Sequence, residues 1–172
     1  MTNVQERFKS IKTFVFDVDG VLTDGSVNLL ESGEQFRTFD IKDSYAIEKA
    51  LQAGFRVGIV SSANAEGVRK WFGILKVTDL FMGGPPDQKL NAYLGYVTRD
   101  SLNESEILYM GDDLPDCTIL NRPNVLGACP ADAVDEVQAI CQYVSPRSGG
   151  RGAVRDVIEQ VLKAQGKWSV ST

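Results

Sequence analysis

Short apolar runs alternate along this chain with segments whose apolar residues recur at helical spacing. Phe14-Val15-Phe16 stops at Asp17, and Val57-Gly58-Ile59-Val60 stops at Ser61-Ser62. Ile107-Leu108-Tyr109-Met110 stops at Gly111-Asp112-Asp113, and Val125-Leu126 continues into Gly127-Ala128. Bounded apolar runs of this kind suit parallel strands buried on both faces. Between them, Ile47, Ala50 and Leu51 share a helical face ahead of Gly54, and Val68, Trp71 and Phe72 share one ahead of Gly73. Each glycine reads as a C-terminal stop. Leu90, Tyr93, Leu94 and Val97 make a third stripe; Val154, Val157, Ile158, Val161 and Leu162 make a fourth. The alternation predicts an α/β fold with a doubly wound parallel sheet. Residues 25–41 break the rhythm. Val27 and Leu29, then Glu31-Ser32-Gly33-Glu34, then Phe36 and Phe39, place period-two apolar residues around a glycine-containing turn, the pattern of a β-hairpin. Gly83-Gly84-Pro85-Pro86 and Ser148-Gly149-Gly150-Arg151-Gly152 mark loops. No repeat or linker divides the chain, so residues 1–172 are expected to form one domain, with a hairpin at 25–41 and a C-terminal helix and tail at 146–172.

Composition narrows the chemistry. With 172 residues, 43% hydrophobic and 24% charged, the chain is long and apolar enough to bury a core. A net charge of -5 without a basic stripe argues against a nucleic-acid partner. The absence of histidine excludes an imidazole base and a histidine-ligated zinc, and leaves acid–base work to Asp, Glu, Lys, Tyr or Cys. Cys117, Cys129 and Cys141 form no CxxC pair, which fits a reducing cytoplasm. The polar start, MTNVQERFKSIK, lacks a signal-peptide pattern, and no run nears the ~18 apolar residues of a membrane span.

The informative residues stand where strands end. Ligands of open α/β sheets bind at the carboxyl edge of the strands. Three such ends carry Asp17-Val18-Asp19, Ser61 and Asp112-Asp113. Were these strands neighbours, their carboxylates would need a cation, and a hard, oxygen-seeking ion such as Mg2+ is the natural choice. Gly20 lets the chain turn, so that Asp17 and Asp19 can approach one substrate. One carboxylate can attack phosphorus and form an aspartyl phosphate; the other can protonate the leaving alcohol and then activate water. Each motif alone reads more simply. Asp-x-Asp is a common turn, Lys89 a solvated helix-start lysine and Ser61 a helix N-cap; their combination after apolar strands is what points to chemistry.

FDVDGVLTDG at 16–25 resembles the first motif of the haloacid dehalogenase superfamily, and Ser61, Lys89 and Gly111-Asp112-Asp113 follow in that superfamily's order. DVDGVLTDG, YMGDDLPD at 109–116, CPADAV at 129–134 and GGRGAVRDVIEQVLKAQGK at 149–167 resemble the 3-deoxy-D-manno-octulosonate 8-phosphate phosphatases, over about residues 8 to 168. The resemblance implies a phosphatase without a large cap domain that acts on an eight-carbon sugar-acid phosphate on the route to lipopolysaccharide. Asp17 would be nucleophile and magnesium ligand, and Asp19 the general acid/base and a ligand through its carbonyl. Ser61 would hold a phosphate oxygen, Lys89 the phosphoryl group and Asp17, and Asp112 would complete the magnesium ligands. Asp113 and Asp116 would support them. A homotetramer is implied too, in which the hairpin and a neighbour's C-terminal tail close the site.

The chain departs from the family where the substrate's carboxylate would be gripped. Ser61-Ser62-Ala63-Asn64 lacks the family's arginine, Trp71 stands at a later arginine position, and Lys42-Asp43-Ser44 replaces an Arg/Lys-Asp-Gly stretch. Ser62, Lys42, Asp43, Arg69 and a neighbour's Arg151 are therefore the expected substrate-binding residues, with Lys42 and Arg151 as the carboxylate's cations. A sialic-acid-like nonulosonate 9-phosphate is the nearest rival substrate. From other classes come a phosphorylation-receiver domain, which would carry its acceptor Asp at a middle strand end where Ser61-Ser62 stands, and a non-catalytic assembly protein.

Overall fold

The computed structural model describes residues 3–168; the part of the expected C-terminal tail at 169–172 lies outside them. Its main sheet has six parallel strands. In chain order these are β1 (Thr13–Phe16), β4 (Arg56–Ser61), β5 (Asp79–Met82), β6 (Ile107–Met110), β7 (Leu126–Cys129) and β8 (Tyr143–Val144). They lie in the order β5-β4-β1-β6-β7-β8. The first strand is thus central, with Phe16 beside Ile59 on one side and Met110 on the other. The chain winds outward from it in both directions, so the residues just past β1, β4 and β6 emerge together at one edge.

Strand side chains alternate between two cores. Phe14, Phe16, Val57, Ile59, Leu108 and Met110 pack with α1 (Val4–Ser10), α2 (Ile41–Gln52), α3 (Glu66–Ile74) and α7 (Ala153–Ala164). Val15, Val60, Ile107 and Tyr109 pack on the other face with α4 (Lys89–Arg99), α5 (Cys117–Leu120) and α6 (Asp135–Ile140). All four strand runs read from the sequence are present. The edge strands β5 and β8 were not read: β5 is only half-buried, and β8 has two residues. Gly73 is a correction. It is the last but one residue of α3, which ends at Ile74; the left-handed turn beyond the helix is made by Lys76, at a φ of 62°.

The remaining strands, β2 (Asn28–Leu29) and β3 (Gln35–Phe36), pair antiparallel around a turn with Gly33 at φ 85°. This hairpin is shorter than 25–41 and stands clear of the main sheet. Val27, Leu29, Leu30 and Phe36 on it are all exposed, and Ile41 and Tyr45 follow them. The GGRG stretch has a structural task. A side chain at Gly149 or Gly150 would strike the backbone of Gly20 or Thr23, and Gly150 N–H donates to the Val21 carbonyl at 3.0 Å. These glycines let the loop before α7 press onto the turn after β1.

Candidate active site

Asp17, Asp19, Ser61, Ser62, Lys89, Asp112, Asp113 and Asp116 line one pocket of about 260 Å3, with Ala63 and Gly25 beside them. Asp17 follows β1 directly, with its N–H bonded to the Met110 carbonyl of β6. Gly20, at φ 87°, turns the chain back; any side chain there would strike the Asp112 carboxylate. The Asp-x-Asp-Gly spacing thus has a steric reason. Ser61 ends β4, and its Oγ accepts the Ala63 N–H at 3.2 Å. It is not the cap of α3, whose N-cap is Ala65.

Lys89, the first residue of α4, is far from a solvated lysine. It is 6% exposed, with Nζ at 2.8 Å from Asp17 and 2.7 Å from Asp116. Burial pushes its pKa down, but the two carboxylates outweigh burial and hold the ammonium above its ordinary range. Asp116 is fully occupied. It takes Lys89 and the Tyr109 hydroxyl on one oxygen, and the Asp112 and Asp113 N–H groups on the other. It braces the loop that presents Asp112. Asp113 caps the turn behind it through the Leu114 N–H.

Two carboxylate oxygens are buried and have no hydrogen-bond partner among the described residues: Asp17 Oδ1 and Asp112 Oδ1. Oxygens of Asp17, Asp112 and Asp116 lie within 4.8 Å of one another. Burial, and next the nearby Asp17 and Asp116 charges, push Asp112 up to about 8. Burial pushes Asp17 up to about 6 against the pull of Lys89. Two orphaned, proton-seeking oxygens in one oxygen-rich pocket are what a hard divalent cation would satisfy, so the residues fit Mg2+.

The expected substrate-binding residues are scattered. Asp43 is a correction: it is 1% exposed and accepts the Arg155 and Gly152 N–H groups at 2.6 and 3.2 Å, so it caps α7 and is closed to substrate. Arg69 donates to the Met82 carbonyl at 2.8 Å and to Asn64, tying α3 to the end of β5. Lys42 and Arg151 line a separate cavity with Arg147 and Arg155, so within one chain they do not reach the catalytic pocket. Ser62 alone of this set lines that pocket. The sequence reading missed Arg37. It lies just past β3, and its Nε and Nη2 hold Asp19 at 2.5 and 3.0 Å. The only signal for it was a cation beside the hairpin.

No protein-family model matches the chain. Curated relatives do. It is 32% identical to 3-deoxy-D-manno-octulosonate 8-phosphate phosphatase from Salmonella typhi, covering 96% of this chain and 87% of that protein. It is 33% identical to the enzyme of the same name from Escherichia coli K12, covering 96% and 86%. Among solved structures, the Yersinia pestis phosphatase superposes with a TM-score of 0.91 at 31% identity, covering 96% and 88% of the two chains. The Moraxella catarrhalis phosphatase, in complex with magnesium, phosphate and the sugar acid KDO, superposes with a TM-score of 0.90 at 30% identity, covering 96% and 94%.

Proposed function

The chain belongs to the 3-deoxy-D-manno-octulosonate 8-phosphate phosphatases of the haloacid dehalogenase superfamily, and from that premise we propose how its residues carry out the reaction. It is a magnesium-dependent phosphoric monoester hydrolase that converts 3-deoxy-D-manno-octulosonate 8-phosphate to the free sugar acid and phosphate. The observation that carries the mechanism is the meeting of Asp17, Asp112 and Lys89 at the carboxyl edge of the sheet, with one oxygen on each carboxylate unpaired.

Asp17 and Asp112 would hold the metal through those oxygens, with the Asp19 carbonyl. When bound, Mg2+ would supply positive charge to offset that of the phosphoryl oxygens. Lys89, whose ammonium stays charged, holds a phosphoryl oxygen and keeps Asp17 oriented. Ser61 holds another. An Asp17 oxygen attacks phosphorus as the bond to the sugar oxygen breaks, and Asp19 gives that oxygen its proton. Asp19 then takes a proton from water as the water oxygen displaces Asp17 from phosphorus, releasing phosphate.

A homotetramer that buries the exposed hairpin completes this reading. Its support is the row of exposed apolar residues Val27, Leu29, Leu30, Phe36 and Ile41. Three free cysteines support a cytoplasmic setting, and no helix among the described residues is long and apolar enough to cross a membrane. The test is magnesium-dependent phosphate release across a panel: the eight-carbon acid phosphate, a nonulosonate 9-phosphate and a neutral pentose 5-phosphate. The eight-carbon acid is expected to give the highest kcat/KM by at least about tenfold, the scale of one charged contact. A nonulosonate in first place would reassign the substrate.

A further inference from the structure

Arg37 stands on a wall between two cavities. The catalytic pocket lies on one side, with Asp19 in its lining. On the other side a cavity of about 740 Å3 opens between the hairpin, at Leu30 to Arg37, and the segment Ser62 to Gly67. Ser62 and Ala63 line both, so the two spaces adjoin there. Arg37 is the one cation lining the larger cavity among the described residues, with Glu34 and Glu66 also in its lining.

The environment of Arg37 is unusual for a hairpin residue. Its side chain is 6% exposed while Gln35 and Phe36 beside it are exposed. Two of its nitrogens form a fork with both oxygens of Asp19. Its Nη1 is buried and has no acceptor among the described residues. A charged donor left in that state favours any arriving acceptor oxygen. An ester with its phosphoryl group at Asp17 has room to extend its remaining atoms past Asp19, along Ser62 and Ala63, towards the larger cavity.

Resting on the sugar-acid reading above, we infer that Arg37 recognises the substrate's carboxylate and that taking it up draws the guanidinium off Asp19. An arriving carboxylate can take Nη1 and Nη2 as its fork, which satisfies the orphaned nitrogen and turns the guanidinium away from Asp19. The exchange has a catalytic consequence. With both oxygens held by Arg37, Asp19 has none free to reach the leaving oxygen; once released, it takes up from solvent the proton that it passes to that oxygen. The cognate substrate frees it; a neutral ester leaves the pair closed. Binding of the correct acid thus assembles the catalytic set, a specificity device of the induced-fit kind. It also explains how a chain with Ala63 and Trp71 at the family's arginine positions can still read an acid.

The test compares the sugar-acid 8-phosphate with its primary amide, which differs only in the lost charge, using magnesium-loaded full-length protein. Wild type is expected to prefer the acid by about 10–100-fold in kcat/KM, the scale of a charged hydrogen-bonded contact. In Arg37→Gln that ratio should collapse to within about threefold of one, whatever absolute activity remains. Arg37→Lys, which keeps the charge but loses the fork, should fall between the two and carries the test if the Gln variant does not fold. Retention of the wild-type ratio in either variant, even with both rates lowered together, overturns the assignment and leaves the sugar-acid reading intact. A wild type that hydrolyses both esters equally overturns that reading and this inference with it.

Discussion

Asp17 and Asp112 tie the pH behaviour of the protein to its metal. Their carboxyls are raised from an ordinary 3.8 to about 6 and about 8. Without a divalent cation the folded chain therefore keeps protons that the unfolded chain has already released. The stability these groups contribute is complete below about pH 4 and is lost as pH rises through about 6 and then about 8. Magnesium held as proposed displaces the same protons, so its stabilising effect should grow with pH. Thermal melts in chelator should fall from about pH 5 to about pH 8.5, and the rise in Tm with magnesium should be larger at the upper pH. An equal magnesium shift at both would mean that these oxygens do not hold the metal. Gly20→Ala should weaken magnesium binding, because the added methyl meets the Asp112 carboxylate and the φ of 87° strains a side chain there; a titration of activity at fixed substrate should then need more magnesium for half-maximal rate. At this scale the sequence was most informative. Asp17, Asp19, Ser61 and Asp112 were readable because each sits at or just past the end of an apolar strand run, and Lys89 through the motif order of the family that the chain resembles. Arg37 was not, because its pairing with Asp19 spans 18 residues and depends on how the hairpin folds back.

Asp43 shows how an element can mask a functional reading. From sequence, Lys42-Asp43-Ser44 looked like a substrate contact just after the hairpin. In the fold, α2 packs along α7, and Asp43 meets the N-terminus of α7, whose N-cap Gly152 supplies no side chain. A carboxylate there satisfies N–H groups that would otherwise be orphaned and faces the positive end of the helix. Asp43→Ala should therefore lower stability by about 1–2 kcal/mol, the cost of losing a good N-cap. Urea unfolding checks it, with an unchanged midpoint as the result that contradicts the capping role. The helices with a clean stripe were legible, and α7, with its buried face from Val154 to Leu162, was the clearest. Gly73 misled because a glycine within a short helix carries the same letter as one at its end; the surrounding contacts decide. The edge strands were missed for different reasons. β8 has only two residues, and β5 carries an apolar run, Leu80-Phe81-Met82, but no acidic or hydroxyl residue directly follows it to mark a strand end.

At the scale of the molecule, the hairpin is the feature that the isolated chain leaves unexplained. Two strands of two residues each, with Leu29 at 69% and Phe36 at 51% exposure, do not hold together well in water on their own. Burying them against copies of the chain accounts for their composition. Sedimentation should find a tetramer, and Leu29→Asp with Phe36→Asp should dissociate it; a wild-type monomer at micromolar concentration would refute the assembly. Dissociation should also lower activity, since the same hairpin carries Arg37 towards Asp19. The central claim is narrower and rests on one oxygen. Asp17→Asn keeps the shape of the side chain but removes the attacking carboxylate and a metal ligand. The most direct measurement is phosphate release from 3-deoxy-D-manno-octulosonate 8-phosphate by wild type and Asp17→Asn side by side, each with magnesium. The account predicts rapid release by wild type and a loss of at least about 1,000-fold in the variant, with its fold intact by circular dichroism. A folded Asp17→Asn protein within about tenfold of wild type would contradict it.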